Sequence, residues 1–123
     1  MYTILFIEDD IMLLDTYAEL CKILGYNYLL SHNGKEALAI LDFIHVDLIF
    51  SDGKMPEVDG YEVLHHIKTN PSKSRIPFIL FTGSDRGRSA QAFQDNVMPD
   101  ALLIKPGNTA ELCATIVRLL PAD

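Results

Sequence analysis

The chain has 123 residues, of which 49% are hydrophobic and 22% charged. This length is typical of one globular domain, and this composition excludes a disordered protein. The formal net charge of −7 argues against direct nucleic-acid binding, which needs a basic surface to contact phosphates. Because no apolar run approaches the roughly 20 residues of a membrane helix and the N-terminus has no signal-peptide pattern, we expect one cytoplasmic domain over residues 1–123, with no effector domain and no membrane contact.

The first predicted strand, Tyr2 to Ile7, is apolar almost throughout, as expected of a central strand. It leads directly into three acids, Glu8, Asp9 and Asp10. The helix that follows, predicted from Ile11 to Leu24, needs an N-cap, but capping accounts for only one acid. Three adjacent carboxylates are electrostatically unfavourable unless a cation neutralises them. The cluster therefore indicates a cation site.

The third predicted strand ends at a carboxylate. A second strand, Tyr26 to Leu30, and a second helix, Lys35 to Ile44, come first, and the third strand then runs from Val46 to Ser51. Asp52 follows it, and a glycine, a proline and an Asp-Gly pair then prevent regular structure. Asp52 is thus predicted at the carboxyl end of a buried strand, where open parallel sheets bind ligands. A carboxylate there can act as a nucleophile, a metal ligand or a helix cap.

The remaining chain continues the alternation of strands and helices. The predicted elements are a helix from Tyr61 to Thr69, a strand from Ile76 to Phe81, a weakly amphipathic helix from Asp85 to Asn96, a strand from Ala101 to Ile104 and a helix from Thr109 to Leu120. The fourth strand leads into Thr82 and Gly83, and the fifth into Lys105. Polar residues therefore follow each of these strands as well.

This (βα)5 pattern predicts an α/β fold of the flavodoxin-like class, a doubly wound parallel sheet with strand order 2-1-3-4-5. In that order the acids after the first strand lie beside Asp52, with Thr82 and Lys105 on the same edge. The first and last helices share one face, so Cys21 and Cys113 are expected to be neighbouring, buried and unpaired thiols.

Carboxylates from two adjacent strands form a hard oxygen site suited to Mg²⁺. We expect Asp9 and Asp52 to bind it directly, Glu8 through a water, and the backbone carbonyl of Lys54 to add a further oxygen. A bound dication would leave Asp52 able to attack phosphorus and form an aspartyl phosphate. Thr82 and Lys105 could then contact phosphoryl oxygens.

Four short segments carry a family resemblance. They are Ile4 to Asp10; Asp47 to Asp52 with Met55-Pro56 and Asp59-Gly60; Pro77 to Thr82; and Lys105-Pro106. Over essentially its whole length the chain resembles the response-regulator receiver domains of two-component signalling.

The resemblance implies functions for individual residues and for partners. Asp52 would be the phosphoacceptor, Glu8 and Asp9 the acidic pair of the Mg²⁺ site, Thr82 and Gly83 part of the phosphoryl-binding switch, and Lys105 its lysine. The donor would be a phosphohistidine of a histidine kinase or a histidine phosphotransfer domain. A downstream protein would bind the face of the fourth predicted helix, the fifth strand and the last helix. No turnover of an external substrate is implied.

Three positions depart from the family pattern. Leu102 stands where a tyrosine or phenylalanine usually acts as a rotating switch residue, Gly53 replaces an apolar side chain, and Gly107 replaces a frequent phenylalanine. Because leucine is smaller and has no phenol, we expect weaker coupling from Thr82 through residue 102.

Other interpretations remain open. An interaction module that is not phosphorylated would be consistent with Leu102. A phosphatase with an aspartate nucleophile would also use Asp52, but Lys54 stands where such enzymes carry a second aspartate. A flavodoxin-like cofactor binder would place a phosphate after the first strand, where the acids would repel it.

Overall fold

The alternating sequence folds into a five-stranded sheet with helices on both faces. The computed structural model of the chain describes residues 1–83 and 93–121. Its strands are β1 (Thr3–Ile7), β2 (Asn27–Ser31), β3 (Leu48–Asp52), β4 (Phe78–Thr82) and β5 (Ala101–Ile104), and its α-helices in the described residues are α1 (Ile11–Leu24), α2 (Gly34–Phe43), α3 (Gly60–Lys68) and α4 (Thr109–Leu119). None of these helices is long and apolar enough to cross a membrane.

The strand order is β2-β1-β3-β4-β5, and every ladder is parallel. The flavodoxin-like prediction is therefore confirmed. Ile7 pairs with Ser51 and Asp52 pairs with Phe81, so the carboxyl ends of the three central strands lie at one edge. The segments that leave these ends carry the polar residues singled out in the sequence.

Two cores lie on opposite faces of the sheet. One joins α1 and α4 to the side chains of Ile4, Phe6, Leu48, Phe50 and Ile79, and the other joins α2 and α3 to those of Leu5, Ile7, Ile49, Phe78 and Leu80. β3 is buried at all five positions. Apolar burial on both faces, worth about 25 cal/mol per Å², fixes this strand in the centre of the sheet and with it the position of Asp52.

Helix ends follow local sequence signals. The Asp10 side chain accepts hydrogen bonds from the backbone N–H groups of Met12 (2.9 Å) and Leu13 (3.4 Å), so one of the three acids caps α1 as expected. Gly25 ends this helix with φ 82°, a left-handed conformation that glycine adopts without steric cost.

The predicted helix from Asp85 to Asn96 is wrong at its described end. Residues 84–92 lie outside the described part of the chain, and Gln94–Asn96 forms one turn of 3₁₀ helix. Asp95 and Asn96 have φ values of 58° and 59°. Aspartate and asparagine tolerate this left-handed region, which does not continue an α-helix.

Both cysteines are free, and they are near enough for the charge of Cys113 to act on Cys21. Cys21 is fully buried, but Cys113 is only partly buried, so the prediction of two buried thiols is wrong for Cys113. Burial, together with a smaller contribution from the charge of Cys113, raises the pKa of the Cys21 thiol to about 11.

Candidate functional site

Three carboxylates meet at the carboxyl edge of the central strands. Glu8 follows β1 and Asp52 ends β3, and the pairing of Ile7 with Ser51 brings these two side chains together. With Asp9 they offer oxygens that all lie within 4.8 Å of one another. Glu8 and Asp52 are buried, with exposed fractions of 2% and 5%, whereas Asp9 is exposed.

Glu8 lies in an environment that opposes its negative charge. Its Oε2 atom is buried and has no hydrogen-bond partner among the described residues. Burial, a hydrogen bond to Asp52 and the negative charge of Asp52, in this order of importance, together raise the pKa of Glu8 to about 8. A divalent cation would supply the missing partner and offset the repulsion, and Mg²⁺ prefers carboxylate oxygens of this kind. The residues therefore fit a Mg²⁺ ion.

Lys105 contacts the second side of the Asp52 carboxylate. Its Nζ lies 2.9 Å from Asp52 Oδ1 and 5.3 Å from the centre of the Phe81 ring. The backbone N–H of Lys105 donates to the Thr82 carbonyl at 2.8 Å, which fixes the start of the segment after β5 against the end of β4. Asp52 thus lies between an ammonium group and the cluster of acids.

Thr82 ends β4 with its side chain buried at 2% exposure. Its Oγ1 accepts a hydrogen bond from the phenol of Tyr61, the second residue of α3, at 3.3 Å. The sequence patterns do not predict this contact. Tyr61 precedes the inward-facing Leu64 by three residues and Ile67 by six, a helical spacing that places it on the same inward face.

The chain matches one known protein family over most of its length. The model of the response regulator receiver domain matches residues 4–117. This chain belongs to the response regulator receiver domain family. The resemblance inferred from the four segments is therefore confirmed, and with it the assignment to a family of phosphorylatable two-component proteins.

The receiver domain has similar relatives among transcriptional regulators. It is 34% identical to the probable transcriptional regulator ycf29 of Pyropia yezoensis over 99% of this chain and 54% of the relative. It is 35% identical to the transcriptional regulatory protein CpxR of Klebsiella pneumoniae over 98% of this chain and 50% of the relative. The chain thus spans about half the length of these regulators.

Solved receiver domains have the same fold. The signal receiver domain of a signal transduction histidine kinase from Syntrophus aciditrophicus has a TM-score of 0.89 and 31% identity, with 98% of this chain and 90% of that chain covered. The response regulator TrrA of Thermotoga maritima, solved in complex with Mg²⁺ and BeF, has a TM-score of 0.83 and 28% identity, with 98% and 100% covered.

The other predicted site residues surround this centre. Lys54 is exposed and, with Asp9, Met55, Pro56 and Asp59, lines an open depression beside the acids. Gly83 is exposed, and a Cβ added there would lie 3.7 Å from the Lys105 side chain. Leu102 lies two residues before the carboxyl end of β5. It is partly buried and packs against the core beneath α3.

The backbone of residue 60 passes so close to that of Asp52 that only glycine fits there. A Cβ at this position would overlap the Asp52 carbonyl oxygen, and the Gly60 N–H donates to the Gly53 carbonyl at 3.1 Å. The Asp-Gly pair, identified in the sequence as a break in regular structure, therefore also allows α3 to begin against the end of β3.

Replacing Glu8 by glutamine should stabilise the metal-free receiver domain. With a pKa of about 8, Glu8 takes up a proton on folding at neutral pH. The amide avoids that cost and can still donate to Asp52, so the free energy of unfolding at neutral pH should rise by about 1–3 kcal/mol. Chemical denaturation in excess chelator measures the free energy of unfolding. Asp42→Asn is the matched control, because Asp42 is exposed on α2. If Glu8→Gln is no more stable than wild type, burial of Glu8 does not destabilise the metal-free protein.

Proposed function

We propose that this receiver domain accepts a phosphoryl group on Asp52 from a phosphohistidine of a histidine kinase or a histidine phosphotransfer domain. Mg²⁺ would be held by Glu8, Asp9 and Asp52, with the backbone carbonyl of Lys54 as a further oxygen. The observation that carries the proposal is the position of Asp52, at the carboxyl end of β3 between the acids and the Lys105 ammonium.

The chemistry is an exchange of one bond for another at phosphorus. A carboxylate oxygen of Asp52 forms a new P–O bond while the P–N bond to the donor imidazole breaks, and its electron pair stays on the imidazole nitrogen. When bound, Mg²⁺ would neutralise the phosphoryl oxygens and orient them. Asp52 is buried, so few water molecules compete with it as nucleophile.

Two residues of the edge would hold the transferred group. Lys105 already lies 2.9 Å from Asp52, so its Nζ needs only a short movement to form an ion pair with a phosphoryl oxygen. The Thr82 hydroxyl can donate a hydrogen bond to another oxygen, and Gly83 places no side chain against that of Lys105. The product stays on the protein, so we propose a phosphoacceptor and not an enzyme that turns over an external substrate.

Incubation with acetyl phosphate and Mg²⁺ tests the proposal. Intact-protein mass spectrometry should show the gain of one phosphoryl group, and excess chelator should prevent it. If the mass is unchanged at saturating Mg²⁺, or if it increases equally in chelator, the proposed Mg²⁺-dependent reaction is wrong.

The exposed side chain of Lys54 should set the lifetime of the phosphoryl group. It follows Asp52 by two residues at the rim of the open depression, where it can shield the acyl phosphate from water or compete with Lys105 for an oxygen. We expect Lys54→Ala to change the dephosphorylation rate by roughly twofold to tenfold, with little effect on Mg²⁺ affinity. Lys22→Ala, on the exposed far end of α1, is the control, and equal rates for all three proteins would exclude this function of Lys54.

The downstream partner surface is proposed to include β5 and α4. The fourth predicted helix, which was expected to complete this face, falls mainly on residues 84–92, outside the described part of the chain. Relatives of this domain are transcriptional regulators about twice its length, and we propose that the switch acts through protein contacts, since the net charge of −7 disfavours direct contact with nucleic-acid phosphates.

A further inference from the structure

We propose that Tyr61 is the aromatic residue that senses the position of Thr82 in this receiver domain. The inference rests on the proposed function, because the signal that Thr82 responds to is a phosphoryl group on Asp52. Tyr61 is a positioning residue that acts through its contact with the Thr82 hydroxyl. Three independent features of the structure support it.

The first feature is the hydrogen bond itself. The Tyr61 phenol donates to Thr82 Oγ1 at 3.3 Å, and both side chains are buried, with exposed fractions of 9% and 2%. Ordinary O–H···O bonds are about 2.5–3.0 Å long, so this one is weak. A small movement of the Thr82 hydroxyl toward Asp52 is enough to break it.

The second feature is the glycine after Asp52. A Cβ at Gly53 would lie 3.1 Å from the Tyr61 ring and 3.2 Å from Thr82 Oγ1. Both distances are shorter than an ordinary van der Waals contact, so a larger residue would displace the ring or the hydroxyl. The departure from the family pattern at Gly53 therefore makes room for the contact between Tyr61 and Thr82.

The third feature is the packing behind the ring. Tyr61 contacts Phe93, with ring centres 5.6 Å apart, and Phe93 is buried at 4% exposure. Leu102, which lacks the aromatic ring expected at its position, packs against the same core. Movement of the Tyr61 ring would therefore be transmitted to Phe93, and through it to the core against which Leu102 packs, without an aromatic side chain at residue 102.

These contacts define two states of the switch. Without a phosphoryl group, Tyr61 holds Thr82 in the resting position. When the Thr82 hydroxyl turns to donate to a phosphoryl oxygen, the bond to Tyr61 is lost and the ring shifts against Phe93. Tyr61 thus opposes the activated state, and removing its hydroxyl should favour that state.

The experiment measures the affinity for beryllofluoride, a phosphoryl mimic, at saturating Mg²⁺. Tyr61→Phe should bind it roughly twofold to tenfold more tightly than wild type, the range expected for one hydrogen bond, while its affinity for Mg²⁺ alone stays unchanged. Tyr2→Phe is the matched control, because the Tyr2 phenol donates to the Pro121 carbonyl at 2.7 Å near the opposite edge of the sheet. In a Thr82→Ala background, Tyr61→Phe should have no effect.

The outcomes separate this inference from the proposed function. If wild type does not bind beryllofluoride with Mg²⁺, both are wrong. If wild type binds but Tyr61→Phe binds equally or more weakly, only the inference about Tyr61 is overturned. Should Tyr61→Phe fail to fold, NMR of wild type with ¹³C-labelled tyrosine rings decides: beryllofluoride should shift the Tyr61 signal and leave the Tyr2 signal in place, and an unmoved Tyr61 signal overturns the inference.

Discussion

Replacing Asp52 by asparagine should abolish phosphoryl incorporation from acetyl phosphate. The amide has nearly the shape of the carboxylate and is buried in the same place beside Lys105, but it lacks the nucleophilic oxygen. Loss of an essential nucleophile typically lowers a rate by roughly a thousandfold or more, so labelling of Asp52→Asn should fall below detection. Circular dichroism should show that the variant remains folded.

Asp42→Asn provides the matched control for this experiment. Asp42 is exposed near the carboxyl end of α2, and this end of the helix points away from the edge that carries Asp52, because helices run antiparallel to the strands they follow. The control should label as wild type does. Equal labelling of Asp52→Asn and Asp42→Asn would place the acceptor elsewhere in the chain.

Replacing Asp9 by asparagine should weaken Mg²⁺ binding at least about tenfold, the lower end of the effect seen when groups supporting a metal site are lost. Asp9 is one of three carboxylates whose oxygens lie within 4.8 Å of one another, and its exposed position means that the fold should be unaffected. Phosphorylation should therefore fall at limiting Mg²⁺ and recover when Mg²⁺ is raised.

The measurement is a Mg²⁺ titration of the initial rate of phosphorylation, again with Asp42→Asn as the control for loss of one negative charge. Asp9→Asn should shift the midpoint of the titration and reach a similar plateau. An unshifted midpoint would mean that Asp9 does not hold the cation, and a lowered plateau at every Mg²⁺ concentration would mean that it acts after the ion is bound.

The sheet could be predicted from the sequence because burial leaves few alternatives for its strands. β1 and β3 are apolar on both faces, which is compatible only with central positions in a doubly wound sheet. Once the strand order is set, the carboxyl edge of the sheet must carry the residues at the strand ends, namely Glu8, Asp52, Thr82 and Lys105. The short distance between Lys105 and Asp52 follows from this topology, although no local pattern encodes it.

Other features could not be predicted because they depend on contacts between distant segments. The hydrogen bond between Tyr61 and Thr82 joins residues 21 positions apart and depends on the missing side chain at Gly53. Asp95 and Asn96 have left-handed φ values, and Asp95 also pairs with His65 of α3 at 2.8 Å. An amphipathic pattern carries no information on either contact.

Chemical trapping of the acyl phosphate tests the central claim most directly. An aspartyl phosphate is reduced by borohydride to homoserine, whereas an unmodified aspartate is not. After incubation with acetyl phosphate and Mg²⁺, reduction and peptide mass spectrometry should locate homoserine at residue 52 and only in samples without chelator. Homoserine at another aspartate, or unmodified Asp52 in a sample whose intact mass shows a phosphoryl group, would contradict the assignment of Asp52 as the phosphoacceptor.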